Sequence, residues 1–336
     1  MFSMDIMTRN SSSNKRHRLF APYFEFYLKN WFEKVETTGL EMLKEIPADS
    51  HVVYVASHKS HIDWVSAGLV FYKNGINVPK FIATKSLEES LLFGSLLKKM
   101  NAKFIDPLNS DPGYLARLRS ELEKDMINGE DILFFPERGR SYTGNMLKMS
   151  PYFLILPIQV QRKTSQDVRI VPLAISYDKV LEDFSLINLA QKRKKESGKD
   201  RLWSMLFSRF ITGNKGSNIY VDIGKPISVD IHEPTRELAD RAFSQIKELY
   251  RVTPTSLVAF TFRNSELASL DGIKSNISLL RKTKLNMRTL ERMSYEEIYE
   301  KGLNMLETRG AIKQSGGIAR IKDHNLLSYY ANMIQV

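Results

Sequence analysis

The chain has 336 residues, 43% apolar and 26% charged, close to the averages of folded soluble proteins and far from disordered or fibrous compositions; the length suits about two domains, or one large core with an appended lobe. It contains no cysteine, which excludes disulfides, thiolate zinc sites, iron–sulfur clusters, and a cysteine nucleophile or cysteine-borne acyl thioester. Lysine and arginine (49) exceed aspartate and glutamate (38), giving a net charge of +11, so a polyanionic partner is expected: nucleic acid, an anionic membrane surface or an acidic protein.

Residues 1–18 mix Asp5, a serine run and the cluster Lys15-Arg16-His17-Arg18. They lack the apolar stretch of about 7–15 residues that export requires, and a frayed cytoplasmic N-terminus is expected. Phe20, Tyr23, Phe24, Tyr27, Trp31, Phe32 and Val35 recur at steps of three and four, which predicts a helix with one apolar stripe. Gly39 and Pro47 close this region. His51–Ala56 reads as a short buried strand, Ser57–His61 as a polar turn, and a helix is expected just after it.

Strand-like runs at 81–83, 102–105 and 132–135 then alternate with helical ones at 88–99 and 114–127, which argues for an α/β layered core. The last helix has Asp111-Pro112-Gly113 at its entrance and Asn128-Gly129 at its exit, good boundary chemistry at both ends. Two more strands are expected at 169–176 and 218–223. The longest strongly apolar stretch, Tyr152 to Ile158, includes Pro157 and is far shorter than the roughly 20 residues of a membrane span, so no transmembrane helix is expected.

Residues 191–201 hold Lys192, Arg193, Lys194, Lys195, Lys199 and Arg201, and Trp203, Leu206, Phe207 and Phe210 follow at helical spacing. This segment is either a solvated insertion with a docked helix or an interfacial helix with cations on anionic lipid. After Pro226 the pattern reads as helical to the end, with a capping-box spelling at Ser294–Glu297 and Gly310 as a stop. The expected architecture is a mixed α/β sheet flanked by helices over 47–230, preceded by an N-terminal helical segment, 1–46, and followed by a helical C-terminal region, 231–336.

Two clusters can carry chemistry. In the first, Asp63 follows His58 by five residues across a strand-to-helix turn. A general base needs one imidazole nitrogen free and the other held by a carboxylate that fixes the tautomer, and this spacing suits both; His61 is a competing histidine. An N-cap or surface ion pair would show the same spelling. His58, His61 and Asp63 also lie close enough to suggest a metal, but no further ligands stand at metal-binding spacing, so none is expected. In the second cluster a strand runs into Glu137, Arg138, Gly139, Arg140 and Ser141. Gly139 lets a backbone approach a ligand, and Arg140 and Arg138 offer planar forks of donors for a phosphate; an ordinary loop with an internal Glu–Arg pair is the alternative.

Taken together, His58-x4-Asp63, Lys103-Phe-Ile-Asp106, Phe135-Pro-Glu-Arg-Gly-Arg-Ser141 and Ile170-Val-Pro-Leu-Ala-Ile-Ser-Tyr-Asp-Lys179 resemble, in order and spacing, the four blocks of the glycerolipid acyltransferases. Ser141-Tyr-Thr-Gly144 and Val171 to Asp178 resemble the glycerol-3-phosphate and dihydroxyacetone-phosphate branch rather than the lysophosphatidate branch, and the likeness runs from about residue 30 to the end.

The resemblance implies an O-acyltransferase of phospholipid biosynthesis. It would move a fatty acyl group from acyl-CoA or acyl carrier protein to a hydroxyl of glycerol 3-phosphate or a close relative, with His58 as general base and Asp63 orienting it. It further implies that Glu137, Gly139 and Arg140 shape the acceptor site with Ser141 close by, that Lys103 belongs to the second block, and that Val171 and Pro172 line the acyl side. No cofactor is implied. The partners implied are the acyl thioester, a phosphorylated glycerol acceptor and an anionic membrane surface, with the protein peripheral to the inner face of the membrane; nothing beyond the charge supports nucleic acid.

The chain departs from the family where Pro107 replaces an arginine that contacts the acceptor phosphate, and where Arg138 replaces a small residue. Arg138 is expected to supply the missing cation. An acyltransferase for another acceptor (lysophosphatidate, a lysophospholipid or a lyso-aminolipid) and a membrane-surface binding protein without catalysis are the rival readings.

Overall fold

His51–Ala56 has no polar stripe and is buried along its whole length, as a strand covered on both faces must be. In the computed structural model, which describes residues 21–85, 102–106, 109, 111–137, 139–192, 216–265 and 267–335, this strand (β2) lies near the middle of an eight-stranded sheet. Its companions are β1 (Lys34–Thr38), β3 (Lys80–Thr84), β4 (Lys103–Ile105), β5 (Ile132–Phe134), β6 (Val168–Tyr177), β7 (Asn218–Ile223) and the short β8 (Ile227–Ser228). The order is β1-β7-β6-β2-β5-β3-β4, with β8 also beside β6.

From β6 to β4 all neighbours are parallel, whereas β7 and β8 run antiparallel to β6 and β1 runs parallel to β7. Pro172 sits within β6, and its carbonyl accepts from the Gly224 amide at 2.8 Å. It occupies the gap between the β8 pairing, which ends at Ile170, and the β7 pairing, which starts at Leu173, so its missing N–H breaks no ladder bond there.

Helices cover the sheet. Residues 21–29 form α1; α2 is Asp63–Lys73, α3 Pro112–Ile127, α4 Ile155–Thr164, α5 Asp183–Lys192 and α6 Thr235–Leu249. Asp111 caps α3 by accepting the Tyr114 amide, with Pro112 in the first turn, where its missing N–H is harmless. The same tolerance admits Pro157 near the start of α4. Beyond them, α7 (Pro254–Asn264) packs against α8 (Leu270–Leu280), α9 (Tyr295–Thr308) and α10 (His324–Ala331), and the capping box expected at Ser294 opens α9.

This C-terminal group is tied to the sheet by buried ion pairs. Arg309 grips Asp183 at the start of α5, where the Tyr330 hydroxyl also donates at 2.6 Å. Arg251 forks onto both oxygens of Asp222 in β7 at 2.7 and 2.8 Å and reaches Glu36 in β1. Among the described residues no helix is long and apolar enough to cross a membrane.

The structure corrects two local expectations. The helix that starts the chain's described part stops at 29, and Val35 lies in β1, because the edge of β7 offers a pairing partner some 180 residues away that periodicity cannot register. The tail after Pro226 is not helical throughout: it contains β8 and a hairpin, β9 (Ile312–Ser315) and β10 (Ile318–Ile321), joined by Gly316-Gly317 with φ +58° and +78°, the geometry a tight hairpin turn demands. The expected helix at 88–99, and the basic stretch beyond Lys192 with its apolar stripe up to Phe210, lie outside the described residues.

Candidate active site

Because β2 and β5 are parallel neighbours, the turns that follow their C-terminal ends open at one edge of the sheet, the edge where α/β folds place their ligand sites. The turn after β2 carries His58 and leads into α2, whose first residue is Asp63. His58 Nδ1 lies 2.9 Å from Asp63 Oδ2. Asp63 is fully buried, while the His58 side chain keeps 20% of its surface, which leaves the imidazole reachable and its carboxylate dry.

The same Asp63 oxygen accepts the Lys59 and Ser60 amides at 2.7 and 3.0 Å, and Oδ1 accepts the Tyr177 hydroxyl. An ionised carboxylate only accepts hydrogen bonds, so Nδ1 carries the proton and Nε2 is the nitrogen able to take one. The His58 ring stacks on Phe135 with centroids 4.4 Å apart, which fixes its plane.

Glu137, in the turn after β5, is buried and spends both oxygens on backbone: Oε1 accepts the His58 amide at 2.8 Å and Oε2 the Leu147 amide at 2.7 Å. Burial raises its carboxyl above the ordinary range, against the pull of Lys59 and the two amides. Lys59 is wholly enclosed, donates to the Gly144 carbonyl at 2.9 Å and lies 5.2 Å from the Tyr250 ring centroid. Burial lowers it to about 8, opposed by Glu137 and Asp63. Burial and the Asp63 charge push the Tyr177 phenol well above its ordinary value, so it stays a donor.

A third carboxylate closes the other side of the turn. Glu182 accepts the Ser60 hydroxyl at 2.7 Å and the His61 amide at 2.8 Å, and its Oε1 faces Arg140 Nη1 at 3.6 Å.

His58, Asp63, Glu137 and Arg140, expected from sequence to act together, therefore converge through the two turns. Ser141 is buried beside Arg140 and its hydroxyl accepts the Thr143 amide at 3.3 Å. Gly139 precedes them in open space, where an added Cβ would meet nothing within 4 Å. Val171 and Pro172 are buried in β6 opposite Tyr54 and Val55. Lys103 is placed elsewhere: it lies in the edge strand β4, separated from β2 by β5 and β3, and pairs with Glu121 of α3. Arg138 and Pro107 lie outside the described residues.

Sequence reasoning singled out neither Lys59, Tyr177 nor Glu182. Tyr177 stands inside the fourth block, so its proximity to the base had a signal; Glu182 stands beyond every block and had none.

A family model described as acyltransferase matches residues 34–176. Among curated proteins, the glycerol-3-phosphate acyltransferase of Pseudomonas syringae pv. tomato is 25% identical over 344 residues, covering 90% of this chain and 40% of that protein. That of Shewanella oneidensis is 24% identical, covering 90% and 41%, and that of Xanthomonas axonopodis pv. citri is 30% identical over 195 residues, 57% of this chain and 22% of that protein. The chain thus spans about 40% of the length of the relatives it matches along most of its course. The crystal structure of a 1-acyl-sn-glycerophosphate acyltransferase from Thermotoga maritima aligns with a TM-score of 0.44 at 17% identity, over 72% of this chain and 79% of that one. The matched segment begins where β1 begins and ends within β6, so the part of this chain that is similar to the acyltransferase family contains the sheet's parallel core and both turns of the site.

Proposed function

We propose that this chain is an O-acyltransferase that moves a fatty acyl group from an acyl thioester, on coenzyme A or acyl carrier protein, to a hydroxyl of glycerol 3-phosphate or a close relative, in phospholipid synthesis. The observation that carries the reading is the His58–Asp63 pair, 2.9 Å apart with the carboxylate fully buried. His58 Nε2 takes the proton of the acceptor hydroxyl as its oxygen attacks the thioester carbonyl carbon, and Asp63 stabilises the imidazolium that forms. The tetrahedral intermediate collapses with loss of the thiolate, which receives the proton from His58 and leaves as thiol. Attack is direct, which agrees with a chain that has no cysteine nucleophile.

Arg140 supplies a guanidinium beside the base turn for the acceptor's phosphate, and Arg138 is assigned a share of the same task. The net charge of +11 suits an anionic membrane surface as the place where the product is released, with the chain peripheral to that surface, and suits an acidic carrier protein where that is the donor. The glycerol-3-phosphate acyltransferases among its relatives support this acceptor. Pro107, standing where the family carries an acceptor-binding arginine, favours a second reading in which the acceptor is a lysophospholipid or lysophosphatidate.

The test offers radiolabelled glycerol 3-phosphate and, separately, a radiolabelled lysophospholipid, each with acyl-CoA and acyl carrier protein donors in turn, to the wild-type chain and to His58→Ala. Acylated product that is lost in His58→Ala is the expected result. Product retained by His58→Ala would remove His58 as the base, and product only with a lysophospholipid acceptor would select the second reading.

A further inference from the structure

The base turn is held from two sides. On one side Glu137 binds its backbone; on the other side stands Glu182, which follows the fourth sequence block and precedes α5. Glu182 is almost completely buried. It takes the Ser60 hydroxyl at 2.7 Å and the His61 amide at 2.8 Å, both within the His58–Asp63 turn, and its Oε1 lies 3.6 Å from Arg140 Nη1. One carboxylate thereby meets the turn that carries the base and the arginine that borders it. The next residue, Asp183, is gripped by Arg309 and Tyr330 from the C-terminal group, so the backbone bearing Glu182 is anchored from behind.

A buried carboxylate kept for stability alone would need only to be paired. This one joins two groups that must hold a fixed relation for an acceptor to be seated and deprotonated at once. Displacing a reacting group by about 1 Å can lower a rate about 100-fold.

We propose that Glu182 is a positioning residue for acyl transfer: through Ser60 and His61 it fixes the turn that presents His58, and through Arg140 it sets the placement of the acceptor's anionic group. The proposal rests on the acyltransferase reading given above. Its two halves separate by chemistry. A glutamine at this position keeps both bonds to the turn, since its carbonyl oxygen accepts the His61 amide and its NH2 donates to the Ser60 hydroxyl, which can accept as well as donate. It removes the charge that restrains Arg140. An alanine removes everything.

The experiment compares wild type, Glu182→Gln, Glu182→Ala and Ser60→Ala by steady-state kinetics with glycerol 3-phosphate and acyl-CoA. In parallel, proton NMR observes the hydrogen-bonded His58 Nδ1–H, identified by its loss in His58→Ala. Expected for Glu182→Gln are a kcat within about 3-fold of wild type and a KM for the acceptor shifted by about 10-fold. Expected for Glu182→Ala is a kcat lower by about 10- to 100-fold with the Nδ1–H resonance shifted or broadened, and Ser60→Ala should fall between.

An unshifted Nδ1–H resonance with an unchanged kcat in Glu182→Ala would overturn the turn-positioning half, and an unchanged acceptor KM in Glu182→Gln the Arg140 half. If Glu182→Ala does not fold, Ser60→Ala and Glu182→Gln decide in its place. Absence of transfer by wild type with every donor and acceptor would defeat the acyltransferase reading instead, and the resonance would still report whether Glu182 and Ser60 hold the His58 turn.

Discussion

The Tyr177 hydroxyl, at the end of β6, donates to Asp63 Oδ1 while Asp63 Oδ2 receives His58 Nδ1. With the Lys59 and Ser60 amides also bound to Oδ2, the carboxylate behind the base takes four donors, three of them on one oxygen. The orientation of the imidazole is thus decided jointly by the turn after β2 and by a strand 114 residues away.

Tyr177→Phe leaves that carboxylate with one donor fewer in a dry site. Stability is expected to fall by about 1–3 kcal/mol in urea unfolding. The kcat of acyl transfer is expected to fall by about 10-fold with little change in acceptor KM, because the phenol touches the orienting group and not the substrate. A kcat equal to wild type would show that three donors orient Asp63 as well as four.

Asp63→Asn keeps the shape of the side chain and reverses half of its hydrogen bonding. Its carbonyl oxygen can still accept the Nδ1–H and the two backbone amides, with the NH2 turned to the Tyr177 hydroxyl, but the neutral amide no longer stabilises the imidazolium that forms on His58. A loss of about 100- to 10,000-fold in kcat is expected, measured at saturating acceptor. A variant within a few-fold of wild type would place the function of His58 elsewhere.

Lys59 gives a pH signature. Burial lowers it from the ordinary 10.5 to about 8. Below pH 8 both folded and unfolded states carry the proton, and the folded state bears the full cost of an enclosed ammonium. Between about 8 and 10.5 the unfolded chain still binds the proton that the folded chain has released, so stability from this group rises with pH there. Lys59→Met removes the titration. Its stability relative to wild type is therefore expected to be highest below pH 8 and to fall by about 3 kcal/mol as pH approaches 10.5, followed by urea unfolding across that range. A difference independent of pH would mean that the lysine titrates normally in the folded state.

Gly144 marks where the C-terminal group reaches the site. Its φ is +89°, and an added Cβ would stand 1.9 Å from the Tyr329 carbonyl oxygen. Around it, Asn332 donates to the Thr143 carbonyl at 2.9 Å and Gln335 accepts the Met146 amide at 2.8 Å. Gly144→Ala should lower stability by at least about 1–3 kcal/mol and speed amide hydrogen exchange in residues 143–147 and 324–335 together. Faster exchange confined to 143–147 would show that the tail is not held through this contact.

Much of this was legible in the residues. His51–Ala56 and Asn218–Ile223 are strands with the boundaries that their composition predicts, and α3 begins at the Asp111-Pro112 entrance, because buried parallel strands and capped helices write their signals locally. The His58–Asp63 pair was legible too, since five residues across a strand-to-helix turn bring the two side chains together without help from the rest of the fold. The helical reading of the tail failed at β9 and β10 by passing over Gly316-Gly317, a turn signal between two strand-like runs. The place of Lys103 was not legible: a motif fixes position along the chain, whereas the sheet order sends β4 to the edge, with β5 and β3 between it and β2.

What the sequence determines by itself is the alternation of strands and helices, the excess of cations, the absence of thiol chemistry and the spelling of the base with its carboxylate, all properties of neighbours along the chain. The tertiary structure decides which distant groups complete the site. Tyr177 reaches Asp63, Glu182 reaches Ser60, His61 and Arg140, and Gln335 reaches Met146 only after parallel pairing has set β2 between β5 and β6 and the C-terminal helices have docked. These are buried polar contacts across more than a hundred residues, apart from Glu182 with Arg140. Their positions follow from how strands are ordered and layers pack, and no local pattern of residues encodes that order.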